Sequence, residues 1–111
     1  MDDCIFCKIV DKKIPAERVY EDPRMIIIRD IEPKARLHYL AIPKRHYANL
    51  REMDVVDVGV LGHVFDAIAR QAKALGLSNG YRLIVNQGKD AGQTVNHMHI
   101  HILGGEELPF P

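Results

Sequence analysis

Near the C-terminus, imidazole and apolar residues alternate strictly through His97-Met98-His99-Ile100-His101-Ile102-Leu103. Successive side chains of a strand point to opposite faces. A strand here therefore puts His97, His99 and His101 in one row and Met98, Ile100 and Ile102 on the other side. Neighbours in the row start roughly 6.6 Å apart, two rises of about 3.3 Å. At that spacing two or three rings can converge on one small anion or one metal ion. Imidazole titrates near neutrality, so such a row can supply a nucleophile, an acid or a base. An affinity tag is contiguous and terminal, whereas this run is interleaved with β-formers. A second group, Cys4-x-x-Cys7, offers half of a tetrahedral zinc site, a redox pair or two inert thiols. The βαβ setting that usually carries a redox pair is absent from the pattern around it.

Elements must hold these groups. At 111 residues with zero formal net charge, one domain is expected over residues 1–111. A nucleic-acid binder would show a basic surplus, so no nucleic-acid partner is expected. No apolar run approaches the ~18–20 residues of a membrane span. The opening Met1-Asp2-Asp3-Cys4 is acidic and unlike a secretory signal, and the cysteine usage fits a reducing compartment, so a cytoplasmic location is expected.

Taken in order, Ile5 to Lys12 is a short helix ended by Ile14-Pro15. Arg18 to Asp22 and Met25 to Ile28 are strands joined at Pro23, the second covered on both faces. Leu37 to Ile42 is a third strand with His38, Leu40 and Ile42 on one face. Val55 to Leu75 is the long helix. Its stripe is Val58, Leu61, Phe65, Ile68, Ala72 and Leu75, with Asp54 as N-cap, Gly76 as stop, and His63 at the surface. Tyr81 to Val85 is a fourth strand and the histidine run a fifth. The tail from Gly104 is too proline-bound for regular structure. This order gives an α+β fold with an antiparallel sheet rather than βαβ units. The loop Asn86 to Asn96 carries Gly88, Gly92, Gln93 and Thr94. Backbone N–H groups at glycines can approach an anion closely, and donors beside a nucleophile suit an oxyanion.

The ordered set of motifs is similar to the histidine triad (HIT) family of nucleotide hydrolases and transferases, and within it to the HINT branch. Besides His-x-His-x-His, the resemblance rests on Cys4-Ile5-Phe6-Cys7, Ile14-Pro15-Ala16 and Asp30-Ile31-Glu32-Pro33. It also rests on His38 with Leu40-Ala41-Ile42-Pro43-Lys44, His46, Gly92-Gln93-Thr94-Val95 and Leu103-Gly104-Gly105. It covers essentially the whole chain. It implies a HIT-like fold: a five-stranded antiparallel sheet with one long and one or two short helices, and a homodimer whose two sheets form one of ten strands. The long helix would lie at that interface.

It further implies that His99 is the nucleophile, forming a nucleotidyl-histidine at the α-phosphorus of a purine nucleoside 5′-monophosphate conjugate. His101 and His38 would orient the phosphate, with His97 completing the triad. Gln93 and Thr94 would bind phosphate oxygens or assist the leaving group, Asp30 would take ribose hydroxyls, and Ile31 would enclose the base of AMP or GMP. Asn86 and Gly92 would stand near the phosphate. A zinc ion held by Cys4, Cys7, His46 and His97 would be structural, with no catalytic metal or organic cofactor. Gly92-Gln93-Thr94-Val95 is closer to the Fhit branch, which cleaves dinucleoside polyphosphates, so that substrate class is the alternative. A nucleotide-binding dimer with vestigial catalysis is the other. The tail with Phe110 resembles one that reaches a partner's active site.

Overall fold

The computed structural model describes residues 3–110, so Met1, Asp2 and Pro111 of the terminal readings lie outside the described residues. Five strands form one antiparallel sheet: β1 (Arg18–Glu21), β2 (Met25–Arg29), β3 (Leu37–Pro43), β4 (Tyr81–Ile84) and β5 (Ile100–Gly104), in the order β1-β2-β3-β5-β4. α1 (Ile5–Val10) and α2 (Val58–Gln71) complete it with two short 3-10 turns, so the expected α+β fold is observed. Met25 to Ile28 are buried on both faces of β2, as their unbroken apolar run requires.

Alternation divides β3 and β5 between two cores. Tyr39, Ala41, Ile100 and Ile102 face α2 together with Met25 and Ile27. Leu40 and Ile42 face α1 with Ile26 and Ile28. In the β3–β5 register Leu40 is paired with His101 and His38 with Leu103. His38 and His101 are therefore diagonal neighbours, within reach of long side chains.

The long helix differs from its expected form in two ways. It is shorter than Val55–Leu75, because its ends are turns. Asp54 Oδ1 caps the N-terminal turn by accepting the Val56 and Asp57 N–H groups at 2.9 and 3.0 Å, the usual role of a capping carboxylate. At the other end Gly76 is left-handed, with φ 81°. Leu77 N–H closes there on the Ala72 carbonyl at 2.8 Å, as at many helix C-termini. The buried face is Val64, Ala67, Ile68, Ala72 and Leu75, while Val58 (54 % exposed) and Phe65 (44 %) point outward. The expected stripe averaged fewer than 3.6 residues per turn. Over its seventeen steps of ~100° it falls about 100° short of five turns, so its first half slides off the sheet-facing side. His63 is not a free surface residue: its Nε2 lies 2.6 Å from Asp22 Oδ2, tying α2 to the β1–β2 turn.

β5 also begins later than expected, at Ile100 rather than His97. His97, Met98 and His99 approach the sheet outside regular pairing, anchored where Met98 N–H donates to the Tyr47 carbonyl. α1 stops at Val10, before Pro15. Lys12 takes a left-handed conformation there, with φ 63°. Lys13 N–H then returns to the Lys8 carbonyl at 2.8 Å, which closes the last turn. β5 ends on Gly104. A Cβ there would lie 2.6 Å from Leu77 Cδ2 and 3.1 Å from the Gly80 carbonyl oxygen, so any larger residue would have to displace the Leu77 side chain.

Candidate functional site

The row of imidazoles divides. His97 turns away from the other two and is fully buried. Its Nε2–H donates to the Pro43 carbonyl at 2.8 Å. In a neutral ring that leaves Nδ1 as a lone pair. Nδ1 faces Cys4 Sγ at 3.4 Å and Cys7 Sγ at 3.6 Å, and His46 Nδ1 stands 3.3 Å from Cys7 Sγ. The four ligand atoms lie within 4.8 Å of one another. A tetrahedral ion with bonds of about 2.3 Å to sulfur and about 2.0 Å to nitrogen spans S···N edges of about 3.5 Å. The observed separations fit that polyhedron, and the Pro43 carbonyl behind His97 is the usual outer partner of a ligating imidazole. Burial, then the hydrogen bond and charge of Cys4, push the Cys7 thiol up to about 11. A cation among these four atoms would reverse that penalty. Burial holds His97 below the ordinary imidazole range, helped by the nearby His46 and His99, although the Pro43 carbonyl opposes this.

His99 Nδ1–H donates to the carbonyl of His97 at 2.7 Å. Its Nε2 therefore carries the lone pair. The ring is 8 % exposed and packs edge-on against Phe6 at 5.0 Å and against His101 at 5.2 Å between centroids.

Proton positions in the third group follow from its donors. The main-chain N–H of Lys34 donates to His38 Nδ1 at 3.0 Å. The proton of neutral His38 is therefore on Nε2. That Nε2–H donates to His101 Nδ1 at 2.9 Å, and Asp30 Oδ2 lies 3.4 Å from it. His101 then carries its own proton on Nε2, free to donate. Burial holds His38 below the ordinary range, against the pull of Asp30. Burial, then His99 and His38, do the same for His101. The second oxygen of Asp30 accepts the Glu32 N–H at 2.8 Å. This turn, closed by an aspartate side chain, fixes the loop between β2 and β3.

Beside this pair opens a cavity of about 630 Å³. Asp30, Ile31, Asn86, Thr94, His38 and His101 all border it. Its apolar wall includes Ile5, Phe6 and Ile9 of α1, a contribution the sequence reading missed; no spacing signal links a short helix to a strand at the far end of the chain. Lys34 and Pro43, which set two of the tautomers through their main chains, were missed for the same reason: a backbone group has no residue signature.

Four expected positions differ. His99 does not itself border the cavity; its buried ring packs against Phe6 and His101, which do. Gln93 does not border the cavity. Its Nε2 donates to the Ala48 and Val95 carbonyls and its Oε1 accepts the Gly88 N–H, so the side chain braces the loop. Gly92 is exposed, and its N–H is engaged by the Lys89 carbonyl in a left-handed turn with φ 80°. His97 belongs with the cysteines rather than with the cavity.

An antiparallel sheet with imidazoles on its β3–β5 seam defines a protein of the histidine triad class. The sequence matches the HIT domain family over residues 11–108, and the chain belongs to that family. Protein HitA of Neisseria gonorrhoeae is 47 % identical over 104 residues, 94 % of this chain and 97 % of that one. Among solved structures, a histidine triad protein from Clostridium difficile superposes with a TM-score of 0.96 at 41 % identity, covering 100 % of this chain and 97 % of that one. A Zn-bound histidine triad family protein from Mycobacterium smegmatis gives 0.81 at 40 %, covering 98 % and 81 %. A HIT family hydrolase from Legionella pneumophila Philadelphia 1 gives 0.93 at 40 %, covering 98 % of each.

Proposed function

We propose that the protein is a nucleotide hydrolase that cleaves purine nucleoside 5′-monophosphate conjugates at the α-phosphorus. The observation that carries this is the His99 Nδ1–carbonyl bond, which fixes the proton on one ring nitrogen and leaves a lone pair on the other. Nε2 attacks phosphorus, the N–P bond forms and the bond to the leaving group breaks. Water then cleaves the nucleotidyl-histidine to release the monophosphate. His101 Nε2–H donates to the phosphate oxygens or to the departing atom, and His38 holds His101 in that tautomer. Asp30 and Asn86 take ribose and phosphate contacts at the cavity mouth, Thr94 donates beside them, and Ile31 with the α1 side chains covers the base.

Cys4, Cys7, His46 and His97 hold a zinc ion, which supplies structural cross-linking and no open coordination position. A homodimer is the natural cover for the apolar surface at Val55, Val56, Val58 and Phe65.

The test is to incubate the protein with an adenosine phosphoramidate labelled at phosphorus, quench it with denaturant and map the label. Label on His99, and none in His99→Ala, is expected. Unchanged turnover in His99→Ala overturns the mechanism. The same assay run beside a diadenosine polyphosphate ranks the leaving groups.

A further inference from the structure

The two halves of the divided histidine row meet on one side chain. Phe6 stands between Cys4 and Cys7 in the chain, and its ring packs edge-on against His97 at 5.9 Å and against His99 at 5.0 Å. The same ring, with Ile5 and Ile9, forms the apolar wall of the cavity. α1 is six residues long, well under the ~12–15 at which a helix sustains itself. It needs its tethers. One is burial of Phe6 and Ile9 against Ile26, Ile28, Leu40 and Ile42. A second is the Arg18 guanidinium on the Ile9 and Val10 carbonyls. The third is the pair of thiols, with Cys4 Sγ also accepting the Cys7 N–H at 3.3 Å. His97 adds a further link: its ring belongs to the cysteine cluster, while its carbonyl holds the His99 proton.

We propose that Phe6 is a positioning residue that couples the Cys4–Cys7–His46–His97 centre to the nucleotide pocket, so that metal and nucleotide each tighten the binding of the other. This rests on the reading of the two sites given above. Coupling of this kind is reciprocal: whatever factor the metal contributes to nucleotide affinity, the nucleotide returns to metal affinity. The factor comes from ordering α1 once rather than twice. Whichever ligand binds first sets the helix, and the second meets a wall already in place.

Calorimetric titration of zinc-loaded and chelator-stripped protein with AMP measures one arm. Competition against a chromogenic zinc chelator, with and without saturating AMP, measures the other. Stripping is expected to weaken AMP about tenfold, and AMP to tighten zinc by the same factor. In Phe6→Ala, at full zinc content, AMP binds about tenfold more weakly and the two factors fall toward one. Plain destabilisation by that substitution would not abolish the reciprocity. Equal AMP affinities in loaded and stripped wild-type protein overturn the proposal. Should stripping unfold the chain, the zinc competition decides alone, and an AMP-induced tightening of zinc that is the same in Phe6→Ala as in wild type overturns it. An adduct on His99 without coupling removes this inference and leaves the proposed reaction standing. Coupling without an adduct does the reverse, and failure of AMP to bind the loaded protein removes both.

Discussion

Under α2 the sheet presents Met25, Ile27, Tyr39, Ala41, Ile100 and Ile102, and the helix answers with Val64, Ala67 and Ile68. A polar group placed there, the Tyr39 hydroxyl, donates to the Leu75 carbonyl at 2.8 Å. On the opposite face the same strands present His38, Leu40 and His101, and the cover is a helix of six residues that leaves a cavity of about 630 Å³. Both faces are fed by alternate residues of β3 and β5. The first is filled with side chains that need only volume. The second is built of rings whose tautomers are set by neighbouring main-chain and ring groups. A sheet can carry both because period-two alternation isolates them: a change on one side leaves the other's contacts intact. The β3–β5 register, which both faces share, places His38 and His101 at hydrogen-bonding distance.

Four substitutions or conditions test that separation. His99→Ala should lower turnover by a thousandfold or more, about the scale for loss of a nucleophile. Its urea unfolding midpoint should fall by no more than the loss of one buried ring and one hydrogen bond explains, far short of accounting for the lost turnover, and steady-state kinetics beside a denaturation curve check both. Ile102→Ala should do the opposite. The Ile102 side chain is fully buried under α2. Truncating it opens a cavity at a cost of about 2–5 kcal/mol, with turnover per folded molecule near wild type. A large loss of turnover in that variant, measured well below its unfolding midpoint, would mean that the faces are not independent.

Acid should act through the histidine face. His38 and His101 are held below their ordinary range by burial, so the folded protein keeps them neutral where the unfolded chain protonates them. Below the unfolded value of about 6.5 the unfolded state binds more protons, and stability falls with pH. Their contribution is complete above that value and is lost on going down toward the folded one. Unfolding midpoints should therefore drop as the medium is taken from neutral to mildly acidic, and the slope should flatten in His38→Asn. The smallest effect belongs to the link between α2 and the β1–β2 turn. His63 and Asp22 form a partly exposed pair there. Asp22→Asn removes the charge facing His63, worth about 0.5–1 kcal/mol in thermal unfolding. Burial raises the Asp22 carboxyl, but the Arg24 N–H, the Tyr20 hydroxyl and His63 outweigh it and keep the group below its usual range, so the wild-type contribution fades in acid.

The strands were legible because alternation and unbroken apolar runs are local signals: Met25–Ile28 and Leu37–Ile42 stand where their side chains dictate. The turns that flank the long helix were legible at Asp54 and Gly76, since caps depend on a few neighbouring groups, although α2 itself runs only from Val58 to Gln71. Its inward face was not fully so, because a pattern slightly off the helical period cannot say which half meets the sheet. Gln93 shows the limit at the site. Its type suggested a phosphate donor, and its carbonyl partners at Ala48 and Val95 come from a loop closure that no residue type announces.

By itself the sequence determined the chemical inventory: two thiols and six imidazoles, spaced so that a strand and a short helix could present them. Tertiary structure decided which ring does what. His97, His99 and His101 are the same side chain at alternate positions. The Pro43 carbonyl fixes the proton of the first, the His97 carbonyl that of the second, and His38 that of the third. An imidazole has two nitrogens and, when neutral, one proton, and the neighbour that decides which nitrogen keeps it is supplied only by the fold.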